Sequence, residues 1–269
     1  HNDVAKISFT GSTAVGKLIL QYAGKSNMKR VALECGGKSP QIFMADLPDL
    51  ERAVSAAYSG VFANMGEVCS AGSRLLVERP IYDEFIERFI ADGKSAYRPG
   101  DPLDPRTNMG PLVDRDAQQR VLKMIGSGKR EGATLHFGGD APAKLQQGAY
   151  VNPTLFGNVR NDMSIARNEI FGPVASVIPF EGAAEAIAIA NDTIYGLAAG
   201  IWTRDLNKAM RLVKDIEAGV VWINSYEDGD MTQPFGGYKQ SGNARDKCLD
   251  SLKSYTQNKS AWFRLQPGG

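Results

Sequence analysis

Three cysteines and two histidines are the only thiols and imidazoles in the 269 residues, and one thiol, Cys69, stands in the stretch "NMGEVCSAGSR". Its neighbours Gly66, Ser70, Ala71 and Gly72 leave room for a small molecule to reach the sulfur. They also let backbone N–H groups face it, as stabilisation of an oxyanion after thiolate attack requires. The plain alternative is a small buried hydrophobe, the usual state of a free cysteine. His1 and His136 are both far from Cys69 in sequence, so a carboxylate is a better partner for this thiol than an imidazole. Glu34 in "LECGGKSP" stands beside an apolar run, where an anion must be paired, exposed or functional. We place it at the start of a strand, with flexible glycines next to it that allow an approach to a reacting centre. A solvated or lysine-paired glutamate is the other reading.

"GSTAVGKL" follows an apolar run and opens a helical pattern, the setting in which N–H groups and the helix dipole cradle a phosphate. It falls one residue short of a P-loop, because Leu18 stands where a hydroxyl must hold magnesium. A pyrophosphate or other anion site remains open, as does an ordinary turn with Gly11 as loop and Ser12 as cap. "NEIFGPV" sets Glu169 and Phe171 before a strand, and residues 222–242 form a long aromatic and acidic loop after another. A carboxylate there can bind ribose hydroxyls and an aromatic ring can wall a nicotinamide; a surface glutamate and a core phenylalanine are the bland counterparts.

These residues need elements to hold them. Short β-branched or aromatic runs alternate with helical patterns: "VAKISFT", "PQIFMA", "RLLVE", "TLHF", "PVASVIPF", "GLAAGIWT" and "GVVWIN" read as strands. Helices are expected over residues 14–23, 46–63, 82–93, 114–127, at "AAEAIAIAN" and at "DLNKAMRLVKDI", with Pro48 and Asp49 in the first turn of the second. Residues 97–113, rich in Pro, Gly and Asp, form a long loop. This alternation predicts an α/β fold with a doubly wound, largely parallel sheet and helices on both faces. Ligands are then expected beyond the carboxyl ends of the strands. The tail "LQPGG" alone has the character of a flexible linker.

The 31 Lys and Arg balance 30 Asp and Glu to a formal charge of +1, which recommends neither a nucleic-acid nor an anionic membrane partner. Cys35, Cys69 and Cys248 are too far apart for a disulfide framework or a zinc spacing, so no metal is expected and a reducing, cytoplasmic setting is the simplest reading. No run approaches the length of a membrane span, and the opening "HNDVAKISFT" lacks the regions of a signal peptide. With no initiator Met, the chain reads as a piece of a longer protein.

Taken in order, "FTGSTAVG", "LECGGKSP", "GEVCSAGSR", "NEIFGPV" and "PFGGYKQSG" resemble the successive signatures of the NAD(P)-dependent aldehyde dehydrogenase superfamily. The likeness runs along the whole chain and covers about the second half of a family member. "GDMTQPFGGYKQSGNARDKCLDSL" resembles most the bacterial γ-glutamyl-γ-aminobutyraldehyde dehydrogenases, with betaine and other aminoaldehyde dehydrogenases close behind. The chain departs from the family pattern at Cys35, Met65, Glu67, Ala244 and Cys248, none of which removes a catalytic group.

The resemblance implies a division into residues 1–35 as a remnant of the nucleotide-binding domain, 36–240 as the catalytic domain, and 241–269 as a C-terminal return with an oligomerisation strand, "SAWFRL". It implies that Cys69 is the nucleophile, passing through a thiohemiacetal and a thioester, that Glu34 is the general base, and that the Cys69 N–H is one oxyanion donor. For the cofactor it assigns Gly11 and Ser12 to the pyrophosphate turn, Val15 to the adenine wall, Glu169 to the nicotinamide ribose and Phe171 to the nicotinamide itself. Tyr226, Glu227, Asp228 and Asp230 fall on the loop expected at the substrate mouth and suit a cationic or polar amino group. NAD or NADP should bind weakly or not at all to a site with half its walls. A small-molecule aldehyde and a homo-oligomer are the implied partners. Two other classes stay open: a thiol esterase using Cys69 and Glu34 without nicotinamide, and a non-enzymatic assembly domain pairing through Trp262, Phe263 and Leu265.

Overall fold

Alternating runs of this kind must bury both faces of their strands, and the computed structural model, which describes residues 1–266, shows how they do so. The last three residues of "LQPGG" lie outside the described residues. In chain order the elements are β1 (Lys6–Thr10), α1 (Thr13–Lys25), β2 (Arg30–Glu34), β3 (Pro40–Phe43), α2 (Leu50–Phe62), β4 (Arg74–Glu78), α3 (Tyr82–Ala96) and α4 (Arg115–Arg130). They continue with β5 (Thr134–Phe137), β6 (Thr154–Gly157), α5 (Ser164–Arg167), β7 (Val174–Phe180), α6 (Gly182–Asn191), β8 (Tyr195–Gly196), β9 (Ala198–Trp202), α7 (Leu206–Asp215), β10 (Val220–Ile223) and β11 (Tyr238–Lys239).

Seven strands form one sheet in the order β10-β9-β3-β4-β7-β6-β5. All neighbours run parallel except β5 and β6, which are antiparallel at the edge. The central strands are apolar throughout because their side chains alternate between two cores. On β4, Leu75 and Val77 join Phe62, Phe85 and Phe89 of α2 and α3, while Leu76 points the other way. There it meets the cluster that holds Val121 and Ile125 of α4, Ala186 of α6 and Leu212 of α7. The doubly wound α/β reading therefore holds, with helices on both faces.

β1 and β2 pair only with each other, in parallel, from Lys6 opposite Arg30 to Thr10 opposite Glu34. α1 starts where Ser12 turns extended and its hydroxyl accepts the Val15 N–H. Two boundaries differ from the sequence reading. Glu34 ends β2 instead of beginning a strand, since "RVALE" is itself a strand that pairs with β1. Pro48 and Asp49 precede the second helix instead of entering it, because the Asp49 carboxylate caps the Arg52 N–H.

After β11, which pairs with β8, the chain returns to the small sheet. Cys35 N–H donates to the Ser241 carbonyl, and Leu33 N–H donates to the Asn243 side chain. Lys6 donates to Ser254 at 2.7 Å and covers the Tyr255 ring. Residues 249–255 form a 3-10 turn, and "SAWFRL" has no strand partner among the described residues. Trp262, Phe263 and Leu265 there are almost wholly exposed.

Candidate active site

The chain leaves the carboxyl end of β2 at Glu34 and enters the amino end of β3 at Pro40, so only five residues separate the two sheets. Those two edges must face each other across a narrow gap. The loops bearing Cys69 and Glu169 precede β4 and β7, parallel neighbours of β3 in the order β3-β4-β7, and arrive at the same amino edge. A cleft of about 840 Å³ lies there, lined by Gly11, Ser12, Glu34, Cys35, Cys69, Glu169 and Phe171 among others. The rule that ligands sit beyond carboxyl ends thus describes only the small sheet. In the large sheet the cleft is at the amino ends, because the short 35–39 connection turns that edge toward Glu34.

The two glycines after Glu34 serve close packing, not flexibility. A Cβ at Gly36 would overlap the Glu169 carboxylate, and one at Gly37 would lie 2.7 Å from the Cys69 carbonyl oxygen. The Gly37 N–H donates to Glu169 Oε1 at 3.3 Å. Glu169 therefore lies across the Gly36–Gly37 backbone. Burial raises its carboxyl above the usual range, while the Gly37 N–H and the Lys38 ammonium pull it back. Ser241 braces the same segment, its hydroxyl donating to the Gly36 carbonyl at 2.7 Å and accepting the Gly196 N–H at 3.0 Å.

Glu34 is 6 % exposed, and neither carboxyl oxygen has a hydrogen-bond partner among the described residues. Burial raises it to about 8, helped by Asp246 and opposed by Arg245. Arg245 does not pair with it; its guanidinium donates to the Gly237 and Ala244 carbonyls. Cys69 is partly exposed and reduced. Burial pushes its thiol up, hydrogen bonds from the Ser70 and Cys69 N–H groups pull it down, and the Glu169 and Glu34 carboxylates push it up again. The loop bearing it starts from three consecutive left-handed residues, Asn64, Met65 and Gly66. Gly66 is required there, since a Cβ would strike the Gly172 carbonyl of the Glu169 loop.

Of the expected site residues, Val15 lies on the exposed side of α1, outside the cleft lining. Phe171 is at the cleft, 45 % exposed and left-handed. The four residues expected at the substrate mouth divide. Tyr226 turns inward and donates its hydroxyl to the Ser70 carbonyl at 2.6 Å, and Glu227 accepts the Ser70 hydroxyl at 2.8 Å. Asp228 and Asp230 line a separate cavity of about 520 Å³ with Trp222 and Phe235. Cys35 lines the Cys69 cleft but is buried, and a Cβ at Gly16 of α1 would lie 3.0 Å from its sulfur.

Sequence reasoning missed three groups. Arg120 and Lys123, three apart on α4, line the cleft and bring positive charge to it; their spacing on a helix was the available signal. Lys38 is 1 % exposed with an unpartnered Nζ, and burial lowers its amine to about 7, with Arg74 adding to the effect and Glu169 opposing it. Nothing in "GGKSP" distinguishes that lysine from a solvated one.

The residues present fit a dinucleotide. The start of α1 offers orphan N–H donors at the carboxyl end of β1, opposite a carboxylate and an aromatic ring across one cleft. The Gly11 N–H itself donates to the Glu34 carbonyl, leaving the donors of α1 to meet a phosphate.

Comparison with known families matches residues 1–261 to the aldehyde dehydrogenase family. The chain belongs to the aldehyde dehydrogenase family. Among curated relatives of that family, the NADP/NAD-dependent aldehyde dehydrogenase PuuC of Escherichia coli (strain K12) is 48 % identical over 266 residues, 99 % of this chain and 53 % of the relative. Aldehyde dehydrogenase 1A1 of Gallus gallus is 47 % identical over 265 residues, 98 % of this chain and 51 % of the relative. The chain thus spans about half the length of the curated relatives it matches. Among solved structures, a P. syringae AldA indole-3-acetaldehyde dehydrogenase mutant in complex with NAD+ and IAA superimposes with a TM-score of 0.96 at 53 % identity, over 98 % of this chain and 53 % of that one. The γ-glutamyl-γ-aminobutyraldehyde dehydrogenase of Burkholderia cenocepacia J2315 superimposes at 0.92 and 55 %, over 96 % and 52 %. No helix among the described residues is long and apolar enough to cross a membrane.

Proposed function

We propose that this chain carries the catalytic core of an NAD(P)-dependent aldehyde dehydrogenase, with Cys69 as nucleophile and Glu34 as general base. The observation that carries the reading is the convergence of Cys69, Glu34, Glu169 and the β1–α1 turn on one cleft. Glu34, as carboxylate, takes the proton of the Cys69 thiol or of an attacking water. The Cys69 sulfur adds to the aldehyde carbon, and the alkoxide of the thiohemiacetal is held by the Cys69 N–H. A nicotinamide bound in the cleft would supply the hydride acceptor needed to oxidise this adduct to the thioester. Water, deprotonated by Glu34, then attacks the thioester carbonyl; the C–S bond breaks and Cys69 leaves as thiolate.

For the cofactor we assign Ser12 and the start of α1 to the pyrophosphate, Glu169 to ribose hydroxyls and Phe171 to the nicotinamide face. Aminoaldehydes are the substrate class suggested by the likeness to the γ-glutamyl-γ-aminobutyraldehyde dehydrogenase of Burkholderia cenocepacia, since none of Tyr226, Glu227, Asp228 and Asp230 lines the Cys69 cleft; assembly into a homo-oligomer through the exposed "SAWFRL" segment is part of the same reading. The pairing of β1 with β2 alone supports a boundary between residues 1–35 and 36–240, and the bonds that bring Ser241, Asn243 and Ser254 back to that small sheet support residues 241–269 as the third part.

The test compares the chain with Cys69→Ala. Hydrolysis of a p-nitrophenyl ester without NAD, and aldehyde-dependent reduction of NAD, should both depend on Cys69. Ester turnover alone would favour the thiol-esterase reading for this length of chain, and turnover that survives Cys69→Ala would remove the nucleophile assignment.

A further inference from the structure

Arg74 is the first residue of β4 and follows Cys69 by five positions. Its side chain is wholly buried, yet none of its hydrogen bonds among the described residues goes to a carboxylate. Burial lowers the guanidinium to about 10, so it is still a cation at neutral pH. A buried cation of this kind is tolerated only where its hydrogen bonds are made. Here they run in three directions.

Toward the 35–39 connection, Nε donates to the Lys38 carbonyl at 2.9 Å, and the Arg74 backbone N–H donates to the Ser39 carbonyl at 3.3 Å. One residue thus takes both carbonyls just beyond Gly37, whose own N–H donates to Glu169. Toward α6, Nη1 donates to the Ile189 carbonyl at 2.9 Å and Nη2 to the Ala190 carbonyl at 2.8 Å. Both carbonyls belong to the last turn of that helix, where they have no partner within it and carry the negative end of its dipole. Toward the segment before α5, Nη1 also donates to Asn161 Oδ1 at 3.1 Å. Asn161 in turn donates to the Asp192 carboxylate at 2.9 Å, and the same oxygen holds Arg167 Nη2 at 2.8 Å. Arg167 ends α5, two residues before Glu169.

These bonds close a ring. It runs from Arg74 through Lys38 and Gly37 to the Glu169 carboxylate, and returns through Arg167, Asp192 and Asn161 to the same guanidinium. Cys69 is held to the ring by the short chain to Arg74 and by its carbonyl, which packs so closely on Gly37 that a Cβ there would lie 2.7 Å away. A planar fork with donors on several sides can span acceptors from three segments at once, whereas an ammonium is a single point.

We propose that Arg74 is a positioning residue whose guanidinium sets the spacing of the segments that carry Glu34, Cys69 and Glu169, and so the alignment of base, nucleophile and ribose anchor across the cleft. The inference rests on the roles given above to those three residues. Arg74 itself touches none of the reacting atoms.

The experiment is amide hydrogen exchange of the 269-residue chain, read by mass spectrometry on peptides covering residues 35–43, 64–73 and 161–171, with peptides of α2 and α3 as reference. In Arg74→Lys the loss of charge-assisted bonds should speed exchange about tenfold in all three segments, while the reference peptides keep the parent's rates. A merely structural role would speed every peptide alike, in step with a lower melting temperature. That result overturns the proposal, as does exchange that is unchanged throughout. Ester turnover gives the second readout: kcat of Arg74→Lys should fall about tenfold with KM within about twofold, because the cleft keeps its walls and loses its alignment. An unchanged kcat also overturns the proposal. If Arg74→Lys does not fold, Asn161→Ala cuts only the arm toward α5; exchange should then rise over residues 161–171 and stay at the parent's rate over 64–73, and any other pattern counts against the ring. The nucleophile reading is judged apart from this, by whether ester turnover of the parent is lost in Cys69→Ala; where the parent turns over no ester, exchange alone decides the role of Arg74.

Discussion

At the residue scale the most consequential group is Glu34, whose carboxyl is lifted to about 8 by burial. A base is useful only as its anion, so Glu34-dependent ester turnover should climb with pH, pass half its maximum near 8, and lose that limb in Glu34→Gln. The same shift has a stability sign. The folded pKa lies above the ordinary 4.5, so the folded state binds the extra proton between those values. The stabilisation is complete below 4.5 and is lost as pH rises through about 8. Urea midpoints measured from pH 5 to 9 should therefore fall less steeply for Glu34→Gln than for the parent; parallel slopes would show that Glu34 titrates normally.

At the element scale, glycines decide how closely neighbours approach. Gly60 lies on α2, Gly72 before β4 and Gly200 on β9, and all three meet the Tyr226 ring. Gly200→Ala forces a methyl into that packed ring, which costs about 1–3 kcal/mol and should lower the melting temperature by a few degrees. Gly24 on α1 is the counterexample, with open space where its Cβ would be. Gly24→Ala should instead leave the melting temperature unchanged or raise it, since alanine is favoured over glycine in a helix by about 1 kcal/mol. Calorimetric melts of the two variants that shift in the same direction would contradict this contrast.

For the whole molecule the balance between the two sheets matters most. The large sheet has a core on each face, whereas β1, α1 and β2 leave Val15, Leu18, Leu20 and Tyr22 of the helix exposed. The nucleotide contacts proposed above come from a two-stranded sheet, one helix start and the loop of Glu169. We expect calorimetric titration with NAD to give an affinity at least tenfold weaker than that of an intact family member, about 1.4 kcal/mol or more. Equal affinity would mean that these contacts suffice, or that a second copy completes the site.

What the sequence by itself determined was local. Period-2 and 3.6-residue patterns placed the strands and helices, Ser12 marked the start of α1, and five ordered motifs pointed to the family now matched over residues 1–261. "RVALE" and "TLFG" escaped because a four- or five-residue strand carries little periodicity of its own and forms only where a neighbour pairs with it. The tertiary structure decided the rest: that the cleft opens at the amino edge of the large sheet, that Tyr226 and Glu227 reach back to Ser70 while Asp228 and Asp230 do not, and that Lys38 is buried. Capping and periodicity act over a few residues, but the meeting of Glu34, Cys69 and Glu169 depends on strand order and on the 35–39 connection. Burial, which moves Glu34 and Lys38 toward neutral pH, is a property of the assembled neighbours and is written at no single position.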